Sequence, residues 1–261
     1  MDKILYDRYD KSNIRDLPTV SFGGRIFVIT TERGADKAVN YLLGHEILGV
    51  DTETRPSFKK GHIYKVSLLQ VSTMDECFLF RLNIIGMPQP IIRFLEDDTV
   101  LKVGLSWHDD ILSLQKRAKF KPGRFFDIQK HVGEIGVEDL SLQKLYANFF
   151  HQRISKAQRL SNWEADILTD KQKIYAATDA WACIRLYNEL MRLERTNNYK
   201  LEHAVTQAEP TIVTDSDISH RGGQASHLST EEPTCPTAGA NSEIDTGEHP
   251  TDNKNIKTDE T

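Results

Sequence analysis

Cysteine is scarce, with three in 261 residues (Cys77, Cys183 and Cys235), far apart and without a CxxC pair. That usage excludes a disulfide framework, argues against a structural zinc site and suits a reducing compartment. Long apolar runs are missing as well: none approaches the ~20 residues that a membrane helix needs. The opening Met1-Asp2-Lys3-Ile4-Leu5-Tyr6-Asp7 has no apolar signal core. The sequence therefore reads as a cytoplasmic protein with no membrane partner. Gly23-Gly24 stands in no phosphate-loop context and reads as a turn. His45, His62, His131 and His151 show no ligand spacing and read as solvated or structural.

Aromatic residues are absent from Thr206 to Thr261, where Pro, Gly, Ser, Thr, Asp and Glu dominate. Such a stretch buries too little apolar surface to offset its chain entropy, so disorder is expected. It carries 11 Asp+Glu and 3 Lys+Arg, a net of −8 against −5 for the whole chain, which leaves residues 1–205 at +3. The body is mildly basic, which permits phosphate binding without requiring it. The expected organisation is an extended, charged N-terminal arm over 1–22, one catalytic domain over 23–205 and an acidic tail over 206–261.

Within the body, strands are expected at Arg25–Thr30, Ile47–Asp51, Lys65–Val71, Glu76–Phe80 and Val100–Gly104, the third and fourth joined as a hairpin by Ser72-Thr73-Met74-Asp75. Helices are expected from about Ala35 to Leu43, at Ile91–Leu95, and after Gly104 with Ile111, Leu112 and Leu114 inward. Leu140, Leu142, Leu145, Tyr146 and Phe149 line a further helical segment. The longest helix runs from Leu168 to about Glu194 and opens on Thr169-Asp170-Lys171-Gln172, a capping box. On it Ile174, Ala177, Ala180, Ile184 and Leu186 supply packing. Strands first and helices later imply an α/β fold, a mixed sheet flanked by helices.

Acidic residues carry the chemistry. Asp51 and Glu53, two apart at the end of an apolar strand, share a face. Carboxylates so placed repel and are costly to desolvate unless a cation lies between them, and hard oxygen ligands select magnesium or manganese. Tyr175 and Asp179, at i and i+4, are neighbours on one helical face. A phenol there can orient or help deprotonate an attacking water. Asp109-Asp110 opens the helix after Gly104, where acids also favour the helix dipole. Taken singly, each pair has a plainer explanation as a strand end, a helix start or a packed tyrosine. Their co-occurrence in this order is what points to a metal-dependent nuclease.

The words around these residues carry a resemblance. Leu160-Ser161-Asn162-Trp163-Glu164 followed by Leu168 through Ala182 resembles the third exonuclease motif of the DEDDy 3′–5′ exonucleases. Val50-Asp51-Thr52-Glu53-Thr54 is similar to the first motif, and Lys102-Val103-Gly104 through Asp110-Ile111-Leu112-Ser113-Leu114-Gln115 to the second. The likeness spans roughly Phe27 to Leu190, most resembling the Werner-type exonuclease domain, with RNase D a nearby relative. It implies a ribonuclease H-like fold and two Mg²⁺ or Mn²⁺ ions held by Asp51, Glu53, Asp110 and Asp179, with Tyr175 positioning the water. Asp109 is also acidic, but one residue along a helix turns a side chain by about 100°. The match to the following Ile and Leu selects Asp110. Trp107 and His108 are bulkier than the small residues expected there, which bears on substrate clearance.

The implied partner is a single-stranded 3′ end of DNA or RNA, cut to nucleoside 5′-monophosphates. Thr52, Thr54, Phe58, Arg153, Lys156 and Arg159 are candidate substrate contacts, in company with Lys59-Lys60. Phe58 is a base-stacking candidate against the alternative of a core or loop anchor. The rival class is a catalytically inactive nucleic-acid-binding or scaffold module of the same fold. It would be expected to have lost one of the acids, and all are present.

Overall fold

Apolar runs punctuated by turns and caps set the element order in the computed structural model, which describes residues 2–203. Strand β1 (Lys3–Tyr6), the one-turn helix α1 (Lys11–Ile14) and β2 (Thr19–Val20) come first. They are followed by β3 (Arg25–Ile29), α2 (Glu32–Leu42), β4 (Ile47–Thr54), β5 (Val66–Ser72) and β6 (Glu76–Phe80). Next come α3 (Leu82–Ile85), α4 (Gln89–Glu96), β7 (Leu101–Gly104), α5 (Trp107–Gln115) and β8 (Phe125–Asp127). The described chain ends with α6 (Ile128–His131), a 3-10 turn (Val132–Ile135), α7 (Leu142–Phe150), β9 (Arg153–Ile154), α8 (Asp170–Thr196) and β10 (Tyr199–Glu202).

Six strands form the main sheet in the order β3-β6-β5-β4-β7-β8. The β6-β5 and β5-β4 pairs are antiparallel, while β3-β6, β4-β7 and β7-β8 are parallel. Register sorts side chains between two layers, because directly opposed residues point to one face. Leu48, Val50, Leu69, Val71, Phe78 and Phe80 face α2, α4 and α5. Gly49, Asp51 and Glu53 alternate with them and face α8, alongside Leu68, Cys77 and Leu79.

Helix α8 sits unusually close to the sheet. A Cβ built on Gly49 would lie 2.0 Å from the Ala180 carbonyl oxygen, so only glycine fits beneath the helix. Ala176, Ala177 and Ala180 keep the helical side equally thin, and all are fully buried. The expected capping box is present: the Thr169 hydroxyl accepts from Gln172 N at 3.2 Å, and Gln172 Oε1 accepts from Thr169 N at 3.0 Å. Gln172 Nε2 also donates to Ser161 Oγ and the Asn162 carbonyl, fastening the preceding loop to the helix start. At the other end Asn197 closes the helix in the left-handed conformation, at φ 50°.

Residues 1–22 are not a free arm. β1 pairs in parallel with β10, and β2 with β9. Leu5 is fully buried, with Tyr9 and Ile14 nearly so. The charged residues that suggested solvation are interspersed with apolar anchors, and Lys3 is itself partly buried against Glu189. Asn148 locks the segment by donating to the Tyr6 carbonyl and accepting from Tyr6 N. Three further expectations fail on burial: Leu112, Leu140 and Ile174 are exposed. In α5 the inward stripe is Trp107 and Leu114, with Ile111 half-buried. The tail expected to be disordered lies outside the described residues, as does Cys235; Cys77 and Cys183 are buried free thiols. No described helix is long and apolar enough to cross a membrane.

A truncation of buried apolar volume at Leu5 tests this docking. Leu5→Ala should cost about 2–5 kcal/mol of unfolding free energy, read by urea titration, whereas an undocked arm would leave the midpoint unchanged.

Candidate active site

Strand β4 is bordered by β5 over Gly49–Thr54 but by β7 only over Ile47–Gly49. Beyond Gly49 its second edge is open, and the acids converge at this opening. Asp51 and Glu53 come from β4 on the α8 side. Asp179 comes from α8, one residue before the Ala180 contact with Gly49. One ligand oxygen from each of the three lies within 4.8 Å of the others. Asp110 arrives from α5, in the opposite layer, and its Oδ1 accepts a hydrogen bond from the Thr52 hydroxyl. Asp109 points to solvent, so geometry as well as motif spacing favours Asp110.

The start of α5 is held by a residue that sequence reasoning missed. Ser106, the N-cap, is left-handed at φ 61°. Asp127 accepts from Ser106 N at 2.8 Å and from Gln129 N at 3.1 Å, tying that strained turn to the end of β8. An Asp closing a short strand before a helix was the available signal, though it marks many ordinary caps. Trp107, feared as an obstruction, is 2% exposed and packs edge-on to Phe125 at 5.3 Å, away from the acids.

Burial and mutual repulsion dominate the electrostatics. Desolvation pushes Glu53 up to about 10, with Asp51 and Asp179 adding to the rise. Burial carries Asp179 to about 7 against the opposing pulls of the Tyr175 hydrogen bond and the Lys156 charge. Asp110 rises to about 6, chiefly by burial, against the hydrogen bond from Thr52. Asp51 is raised by burial and then by Asp179 and Asp110. The Tyr175 phenol is also raised, by burial first and then by Asp179 and Glu53. The carboxylates titrate as a coupled set.

A divalent cation fits this donor set. All the ligands are carboxylate oxygens, close together and short of positive charge, which is the environment that selects a hard cation. A further sign is Gln70 on β5, directly opposite Asp51 in the register and fully buried. Both of its amide atoms lack a partner among the described residues.

The candidate substrate contacts divide. Thr52 is occupied with Asp110, and Thr54 is exposed at the strand end. Phe58 is 84% exposed, so the alternative of a core anchor is overturned. Arg153 is structural: its Nε donates to the Leu17 carbonyl at 3.0 Å, clasping the N-terminal segment. Lys156 and Arg159 are exposed on the loop after β9. They lie within electrostatic reach of each other and of Lys11, and Lys156 also reaches Asp179. A cleft of about 210 Å³ borders Tyr175, walled by Val20, Ser21, Ser155, Gln158 and Thr178. Sequence reading did not foresee the first two walls, because β2 reaches the site only through its pairing with β9. The Trp163 ring backs Tyr175 at 6.0 Å, and its loop is held by Arg81, which donates to the Ala165 and Asp166 carbonyls.

Comparison with known proteins agrees with this geometry. A profile of the 3'-5' exonuclease family matches residues 26–193. A 3'-5' exonuclease of Arabidopsis thaliana is 30% identical over 216 residues, covering 72% of each chain. The bifunctional 3'-5' exonuclease/ATP-dependent helicase WRN of Mus musculus is 29% identical over 157 residues, which is 58% of this chain but only 11% of that protein. Among solved structures, Trypanosoma brucei RNase D in complex with the RNA U12 superposes with a TM-score of 0.58 at 20% identity. That match covers 65% of this chain and 63% of the other and shows the shared fold.

The raised carboxyls set the pH dependence of metal uptake. Folded-state values above the ordinary ~4 mean that the metal-free protein holds protons which the unfolded chain releases. That contribution to stability is full below about pH 4 and is lost as pH rises through the values near 6 and 7. A cation displaces those protons, so the rise in Tm caused by Mn²⁺ should grow from pH 5.5 to pH 8 in a thermal-shift assay. An increment independent of pH would remove these carboxylates as the site.

Proposed function

The chain belongs to the 3'-5' exonuclease family, and we propose that it hydrolyses the last phosphodiester of a single-stranded 3′ end, DNA or RNA, releasing nucleoside 5′-monophosphates. Two Mg²⁺ or Mn²⁺ ions would be held by Asp51, Glu53, Asp110 and Asp179. The observation that carries this reading is the convergence of buried carboxylates from three separate elements at the open edge of β4. Such a cluster opposes folding unless a ligand uses it. When bound, the ions supply Lewis-acid activation of water and stabilise the leaving oxygen.

The chain's own groups do the rest. Tyr175 donates to Asp179 and keeps its proton at neutral pH, because its phenol is pushed up. It therefore acts as a hydrogen-bonding guide for the water and not as a phenolate base. Lys156 and Arg159 form no ion pair among the described residues, unlike Arg8 and Lys144, which are matched by Glu138 and Asp139. They are free to meet phosphates entering beside the cleft. Phe58, followed by the exposed Lys59 and Lys60, offers a solvent-facing stacking surface in the loop after β4. These contacts address backbone and base faces, which suits a sequence-tolerant single-strand enzyme. A scaffold module of the same fold would be expected to have lost one of the acids, and the retention of all of them supports the enzyme reading.

Shortening of a 5′-labelled single strand in Mg²⁺ or Mn²⁺ tests the proposal. Asp51→Ala and Asp179→Asn should abolish it with the fold intact by circular dichroism; activity retained in either variant would refute the assignment. Tyr175→Phe should lower kcat about 100-fold while leaving metal affinity unchanged. Matched DNA and RNA strands run side by side identify the preferred sugar.

A further inference from the structure

The mechanism above leaves one buried polar side chain unused. Gln70 is 0% exposed on β5, in the central pair of the main sheet, within the apolar run Leu68-Leu69-Gln70-Val71. Its Cα partner across the antiparallel ladder is Asp51. Directly opposed residues project to the same face with Cβ atoms about 5 Å apart, so the amide stands beside the Asp51 carboxyl under α8. On that face Leu79 is its partner on β6, and Leu68 and Ser72 are two residues away on β5, the Ser72 hydroxyl being already engaged with the Thr73 and Glu76 carbonyls. Neither Nε2 nor Oε1 has a hydrogen-bond partner among the described residues.

A fully buried amide with no partner weakens the fold wherever it sits. A leucine or methionine at position 70 would fill the same space without that penalty. The position is therefore hard to explain by stability. Its placement supplies a reason: the carboxylate directly across the ladder from it is Asp51, with Glu53 only diagonal to it on the same face. Metal-ligating carboxylates are themselves held by hydrogen bonds, and losing such a partner typically costs about 10–100-fold in metal affinity or activity.

We propose that Gln70 is a positioning residue for Asp51, its amide N–H donating to the carboxylate oxygen turned away from the ion and so fixing the rotamer that binds metal. The proposal rests on the reading of Asp51 as a metal ligand. It assigns Gln70 no contact with substrate or with the reacting atoms. Glu53 stands directly opposite Leu68 instead, so the proposal concerns Asp51 alone.

The experiment pairs two readouts on Gln70→Met, with Gln70→Leu as a second apolar variant should the first fail to fold. Mn²⁺ affinity of the metal-free protein is measured by titration calorimetry, and Tm is measured in chelator. The expected result is Mn²⁺ affinity at least about 10-fold weaker, with Tm in chelator equal to or above wild type, because an unpartnered amide has been removed. A purely structural Gln70 gives the reverse pattern, a lower Tm with affinity within twofold of wild type, and that would overturn the proposal. Equal affinity and equal Tm would overturn it too. Wild-type protein taking up no Mn²⁺ at all would instead fail the metal-site reading, so the two failures are told apart by the wild-type control.

Discussion

Everything at the functional end of this molecule depends on how closely α8 approaches β4. Where Gly49 passes beneath Ala180 there is no room for a methyl group. That contact fixes helix height and rotation at the residue next to Asp179, so the acid from the helix and the acids from the strand meet at a set separation. The small residues Ala176, Ala177 and Ala180 and the capping box at Thr169 serve the same end, one by thinning the interface and the other by fixing where the helix starts.

Against that contact works the repulsion of the carboxylates. Burial raises Asp51, Glu53, Asp110 and Asp179 above the usual range, and the neighbouring acids of the cluster add to the rise at Asp51 and Glu53. Local rules for a stable core would not place four acids there, and conflicts of this kind concentrate at functional sites. The fold tolerates them because they are anchored on three rigid supports: Asp51 and Glu53 in the middle of a sheet, Asp179 on a long helix, and Asp110 at a helix start held by Asp127. The strained Ser106 turn and the unpartnered Gln70 belong to the same region.

The N-terminal segment links the outer parts of the site. Its strands pair with β10 and β9, its Phe22 N donates to the Thr178 hydroxyl at 3.0 Å, and Arg153 grips its Leu17 carbonyl. As a result the wall of the cleft beside Tyr175 is built from residues over 150 positions away in the chain. A residue expected to touch substrate, Arg153, turns out to hold this wall in place.

Residue pattern alone located the strands read at Arg25–Thr30, Ile47–Asp51, Lys65–Val71 and Glu76–Phe80 to within a few residues of their observed ends, the long capped helix, and three acids that the fold brings together, Asp51, Glu53 and Asp179. These signals are local: alternation, helical spacing, a capping box and motif words act over a few residues and survive without tertiary context. Helix starts were read up to three residues late where a cap outweighed apolar spacing, as at Thr31 before α2. Tertiary structure alone decided that residues 3–20 are docked, that Phe58 is bare while Arg153 is bound, and that Gln70 stands opposite Asp51. Each of these depends on register and on packing between distant segments. A strand or helix reads the same in sequence whichever neighbour it pairs with, and only the folded chain chooses that neighbour.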